Sequence, residues 1–199
     1  MSEPAQPVGQ FVKWLAVATG VFVIAATVYG YIIQDDEAGA LQYRLGNQRL
    51  EDGKYAEALG EFRTLLGVNP GHAGGLFGEA LALMGLGRNL EALDAFERAL
   101  REKSDFGAVY ANRGILQDRL GHHEAALADY RRALALDPEL GDGPGWLTRF
   151  LRNQYDPPPS IADRAQYLEA ELRKPLGERR LRLPERDAEQ RAYKVEGEF

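Results

Sequence analysis

From Leu41 onward the apolar residues recur at helical spacing, in paired stretches divided by polar or glycine-bearing breaks. Leu41, Leu45 and Leu50 mark one stretch over 41–51, and Asp52-Gly53 interrupts it. Tyr55, Leu59, Phe62 and Leu66 mark the next, over 55–66. The alternation continues with stretches at 76–86 and 90–100, divided by Gly87-Arg88-Asn89. A third pair follows at 109–120 and 124–136, divided by Gly121-His122-His123. Asn69-Pro70 and Asp137-Pro138 close second stretches, because proline restricts the residue before it and cannot continue a helical hydrogen-bond ladder. The pattern predicts three helical hairpins.

The hairpins repeat with a period of 34 residues, in windows 39–72, 73–106 and 107–140. Ala58, Ala92 and Ala126 hold one register position. Phe62, Phe96 and Tyr130 hold another, Leu65, Ala99 and Ala133 a third, and Pro70, Ser104 and Pro138 a fourth. The small residues have a packing reason: the alanines, with Gly46, Ala80 and Gly114 on the first helices, allow two helices to approach closely. The aromatic series fills the space toward the next repeat. One hairpin cannot bury its apolar face alone, so stacking is required, and a stacked array forms a surface that holds another protein.

This pattern resembles the tetratricopeptide repeat family over residues 39–138. The resemblance rests on the small residues of the first helices, Gly87 and Gly121 in the turns, the alanine and aromatic series, and the closing prolines. Two departures stand out. Arg49, Leu83 and Gln117 occupy a place where the family often has an aromatic, and Ser104 replaces a closing proline. The resemblance implies that first helices line a concave face. The positions it exposes there are Tyr43, Arg44, Asn47 and Leu50, then Phe77, Leu81 and Met84, then Asn112, Ile115, Asp118 and Arg119. Well-known grooves of the family hold a C-terminal carboxylate with lysine, arginine and asparagine. Here Arg44 and Asn47 alone fit that role and the second window supplies no cation, so a carboxylate clamp is not expected. The groove is expected to be apolar instead and to take a protein partner.

Ahead of the repeats, 14–33 reads WLAVATGVFVIAATVYGYII without a charge. Twenty helical residues span roughly 30 Å, the thickness of a bilayer core. Trp14, Tyr29 and Tyr31 sit near its ends, where aromatic rings favour the interface. A cleaved signal peptide competes, with Ala38-Gly39-Ala40 as its small-x-small site, but the run is long for one and Asp35, Asp36 and Glu37 intervene. The expectation is a single-pass anchor over 11–33, touching lipid, with Trp14, Gly20, Ala26, Gly30 and Ile33 as its marker positions. Ala16-x-x-x-Gly20 and Ala26-x-x-x-Gly30 would let another helix pack closely. Lys13 and the amino terminus favour a cytoplasmic N-terminus, with the repeats in a bacterial periplasm; Arg44 and Arg49 weigh toward the opposite topology.

After the repeats, Trp146, Leu147, Phe150 and Leu151 mark a helix over 145–153, expected to cap the array. Asp156-Pro157-Pro158-Pro159 reads as a stiff connector. Ser160 with Asp163 reads as a capping box opening a helix to about residue 174, with Ile161, Ala165, Leu168 and Leu172 on one face. Residues 175–199 read as a solvated, charged tail, with an arm docking on a partner or on the repeats as the alternative. The whole is therefore all-α: tail 1–10, transmembrane helix 11–33, three-repeat solenoid 39–138, capping helix and extra helix within 141–174, and an extended C-terminal segment.

Composition narrows the function. A net charge of −6 argues against nucleic acid as a partner. Absence of cysteine removes thiol chemistry and cysteine-ligated metals. The histidines are His72, His122 and His123, without metal-ligand spacing, and Ser2, Ser104 and Ser160 are poor nucleophile candidates. No phosphate-binding glycine loop occurs. No enzyme activity, cofactor or metal is expected. Two roles remain: a membrane-anchored adaptor or assembly factor that holds a client, resembling in layout the anchored repeat proteins of cytochrome c maturation and the translocon periphery, or a permanent accessory subunit of a membrane complex.

Overall fold

The computed structural model describes residues 7–34, 39–142 and 159–183, with side chains of the first stretch described at 13–25 and 27. Helix α1 spans Pro7–Gln34. The repeats follow as α2 (Ala40–Glu51), α3 (Tyr55–Val68), α4 (Ala73–Gly85), α5 (Asn89–Glu102), α6 (Gly107–Arg119) and α7 (His123–Leu136). A 3-10 turn at Pro138–Gly141 closes the third repeat, and α8 (Ile161–Leu172) and a 3-10 turn at Leu176–Glu178 follow. Each hairpin pairs its own helices, and α3 stacks on α4, α5 on α6 and α7 on α8.

The hairpin turns show why glycine recurs at 53, 87 and 121. Each lies at positive φ, at 71°, 72° and 85°, just past the end of a first helix. The glycine amide bonds the carbonyl three residues back, as Gly53 does to Leu50, and the next amide reaches five back, as Lys54 does to Arg49. The same pair of bonds recurs at Gly87 and Gly121. Orphan helix carbonyls are thereby satisfied in a conformation that a side chain disfavours.

The aromatic series packs as its period predicts, and more tightly. Phe62 is fully buried between two glycines of different repeats. A Cβ at Gly46 would lie 2.7 Å from its ring, and one at Gly78 would lie 2.3 Å away. Tyr130 is buried in the same way against Gly114. Helix α4, sandwiched between α3 and α5 and flanked by α2 and α6, is buried along most of its length.

The apolar core falls into two clusters. One joins the first two repeats with Phe106, Val109 and Leu116; the other joins the third repeat to Ile161, Ala165 and Leu168 of α8. Helix α8 starts where the sequence places it, with both arms of the Ser160–Asp163 capping box formed. It is α8 that covers the third repeat. The helix expected over 145–153 lies outside the described residues, as do the acidic flank 35–38 and residues 184–199.

The tail expectation needs correction over 175–183. Arg182 Nη2 donates to the Arg119 carbonyl at 2.9 Å, and Leu181 packs against the second cluster. The stretch folds back on the repeats because it carries both an apolar anchor and side-chain donors that reach helix-end carbonyls.

Every described side chain of α1 is exposed, including Trp14, Leu15, Phe22 and Ile24. Among the described residues, no helix is long and apolar enough to cross a membrane. Trp14 and Gly20 fall within that described stretch; Ala26, Gly30 and Ile33 lie further along the same helix.

Candidate protein-interaction site

The eleven expected groove positions divide into an open set and a buried set. Tyr43, Asn47 and Leu50 on α2, with Leu81 and Met84 on α4, are half-buried, and Arg44 is exposed. Tyr43, Leu50, Leu81 and Met84 pack on the first core cluster without being covered by it. Burial pushes the Tyr43 phenol above its ordinary pKa, against a smaller opposing effect of its hydrogen bond with Asn47. Helix α4 carries no lysine or arginine, and among the expected positions on α2 and α4 the one cation is Arg44, which is exposed.

Of the remaining five positions, the structure corrects four. Phe77 is 3% exposed because its ring packs 5.1 Å from Phe106 and 6.2 Å from Phe96. Ile115 is fully buried in the cluster that α8 completes. Asn112 is fully buried and donates through Nδ2 to the Ala108 carbonyl at 2.8 Å. Asp118 is buried under α8, while Arg119 stays exposed and offers its carbonyl to Arg182. The register positions that stand half-open in repeats one and two are therefore closed in repeat three.

Asp118 is the centre of that closure. Arg164 of α8 donates through Nε and Nη2 to its two carboxylate oxygens, at 2.5 and 2.9 Å. His123 Nδ1 lies 2.7 Å from Oδ1, and the Tyr130 hydroxyl approaches Oδ2 at 3.4 Å. Both Asp118 and Arg164 are about nine-tenths or more buried, so this two-bonded ion pair sits in low dielectric. Sequence reasoning placed Asp118 on an exposed face. Register gave no signal of this burial: Leu50 and Met84 occupy the same position and stay half-open, and it is α8 that covers Asp118.

Three further ion pairs tie helices together away from this centre. Buried Glu79 accepts from Arg63 at 3.2 Å and from Arg98 at 3.1 Å, joining three helices. Arg113 makes a two-bonded pair with Asp129 at 2.8 Å; that bond holds the guanidinium pKa above its usual value, outweighing desolvation. These pairs join neighbouring helices of the array.

Comparison with known proteins follows this geometry. Residues 43–108 and 107–140 each match a family model described as tetratricopeptide repeat. The Hsp70-Hsp90 organizing protein of Triticum aestivum is 30% identical over 93 residues, which cover 47% of this chain and 16% of that protein. Tetratricopeptide repeat protein 6 of Homo sapiens is 26% identical over 87 residues, 44% of this chain and 16% of that protein. The chain thus spans about a sixth of either curated relative. Among solved structures, the first TPR domain of Spaghetti (RPAP3), bound to the HSP90 peptide SRMEEVD, matches with a TM-score of 0.55 at 19% identity. The match covers 70% of this chain and 97% of that one. The Arabidopsis OM64 TPR domain matches at 0.50 and 24% identity, over 51% and 84%. At these identities the structures establish a shared fold.

Proposed function

Because the chain belongs to the tetratricopeptide repeat family over residues 43–140, whose members mediate protein–protein interaction, we propose that it is a membrane-anchored scaffold or assembly factor. Its α2–α4 groove binds a segment of a protein partner. The observation that carries this is the half-buried apolar strip of Tyr43, Leu50, Leu81 and Met84, which lies on the first core cluster along α2 and α4. The strip suits apolar side chains. An acidic peptide such as SRMEEVD, held by Spaghetti, would meet a groove whose central helix has no cation. This chain is therefore assigned an apolar partner segment, and no catalytic step, cofactor or nucleic acid.

The test replaces Leu81→Glu with Met84→Glu, since both are half-open and tolerate charge without opening the core. Full chain carrying a tag is extracted in mild detergent, and co-purifying proteins are identified by mass spectrometry. Partner recovery should fall by about tenfold or more, as for loss of an interface anchor. Unchanged recovery with helicity retained would remove the groove assignment.

Membrane anchoring is proposed from the sequence. The uncharged run 14–33 has bilayer length, and the exposed apolar side chains of α1 need a cover that lipid supplies. The repeats are assigned to the periplasm of a bacterial inner membrane. An alkaline phosphatase fusion after Glu37 should be active in a bacterial host; an inactive fusion places the repeats in the cytoplasm. Resistance of the chain to carbonate extraction checks the anchor itself. One observation favours the second role, a permanent subunit of a membrane complex: Gly20 has open space around its Cβ position, on the same helix face as Ala16, where another helix would fit. A fixed, stoichiometric set of co-purifying proteins would select that role over an adaptor.

A further inference from the structure

The last described stretch of the chain behaves as a bound peptide. Residues 179–183 form neither helix nor strand, and Arg179 is extended. Their backbone is gripped by three side chains spaced along α8. Glu171 Oε2 accepts from the Arg180 amide at 2.7 Å. The Tyr167 hydroxyl donates to the Arg180 carbonyl at 2.5 Å. Arg164 Nη2, already bonded to Asp118, donates to the Leu181 carbonyl at 2.8 Å. Two side chains add register: Leu181 enters the cluster shared by α7 and α8, and Arg182 reaches the Arg119 carbonyl.

A grip on backbone groups specifies an extended chain first and a sequence second. The sequence requirement that remains is one apolar residue followed by one cation. Nothing in the grip depends on the occupant being attached to α8. Attachment gives the resident segment its high effective concentration, and a partner segment of the same chemistry has the same bonds to make.

We propose that the α8 face and the end of repeat three form a second binding site, for an extended segment of a protein partner with a leucine-type residue followed by arginine or lysine. Residues 179–183 occupy it in cis. The site is apart from the α2–α4 groove, and it rests on the scaffold assignment only in that its ligand is a protein segment. A partner that displaces the resident segment binds at the C-terminal end of the array while the apolar groove holds another chain. The scaffold then has two stations of different chemistry.

The experiment uses the full chain in detergent and a fluorescent synthetic peptide with the sequence of residues 177–187. In the double variant Leu181→Asp with Arg182→Ala the resident segment is released. Peptide affinity, read by anisotropy, should rise at least about tenfold over the unaltered chain, whose site is filled by its tethered competitor. Adding Tyr167→Phe should lower that affinity severalfold while the melting temperature stays unchanged. Leu81→Glu with Met84→Glu should leave it as it was, which separates this site from the groove. Equal or absent binding in both chains overturns the proposal. So does unfolding of α8 in the double variant, followed by amide hydrogen exchange, because the segment would then be part of the core. A dimer of the unaltered chain that dissociates on Leu181→Asp would assign the site to a second copy and overturn the partner assignment.

Discussion

Phe62 carries more of this structure than its single register position suggests. Its ring sits where Gly46 of its own repeat and Gly78 of the next leave room. Gly78→Ala would place a Cβ 2.3–2.6 Å from three ring atoms. The ring is fully enclosed, so the variant should lose about 1–3 kcal/mol, an overpacking cost read as a shift in denaturant midpoint. Gly53→Ala makes the opposite case: nothing lies within 4 Å, and positive φ alone should cost about 1 kcal/mol. Asp118→Ala should cost about 3–5 kcal/mol, because it strands the buried Arg164 guanidinium. Asp118→Leu with Arg164→Met should recover much of that loss in the same thermal melts, since an apolar pair suits the site about as well. The 46/80/114 series was legible in the sequence as a row of small residues. Gly78 was not, because Arg44 and Asn112 hold the equivalent positions and no period marks it.

At the scale of the helix, α8 combines a start that local chemistry dictates with a destination that it does not. Ser160 Oγ accepts from the Asp163 amide at 3.2 Å and Asp163 returns a bond to the Ser160 amide at 3.0 Å. Ser160→Ala should remove about 1 kcal/mol and raise amide exchange in the first turn of α8. The segment that follows depends on pH through Glu171. The Arg180 amide, then the Lys174 ammonium, hold its carboxyl below the usual glutamate range. A depressed folded pKa contributes stability that is present above the ordinary value of about 4.3 and is lost as pH falls through the folded value. Exchange of the Arg180 amide should accordingly quicken in acid relative to amides of α5, and Glu171→Gln should flatten that difference. A capping box involves residues three apart, so the sequence shows it. The docking of 179–183 joins residues up to 63 apart, and no local pattern announces it.

Across the whole molecule, one register position changes character from end to end. Leu50 and Met84 are half-open, whereas Asp118 is closed by α8. The consequence is a groove confined to the first two repeats, where Tyr43, Leu50, Leu81 and Met84 remain available. The paired glutamates at 81 and 84 belong to this scale, because they should abolish partner binding without disturbing the Asp118 centre; the melting temperature should shift far less than for Asp118→Ala. Phe77→Glu, which the repeat pattern alone would recommend, should instead unfold the array, since Phe77 packs between Phe96 and Phe106. Equivalence of register predicted equal exposure. It failed because exposure depends on what lies over a helix, and each repeat has different neighbours.

The sequence by itself determined the 34-residue hairpin, its glycine turns, its small and aromatic packing series, and the start of α8. The repeat features follow from contacts within a repeat or between adjacent repeats, which the period displays, and the start of α8 follows from a capping box between residues three apart. Tertiary structure alone decided which groove positions stay open, what Asp118 pairs with, and that 179–183 returns to the third repeat. Those outcomes depend on non-repeating residues meeting across long separations, where burial is set by the covering element and not by the residue's place in its own helix.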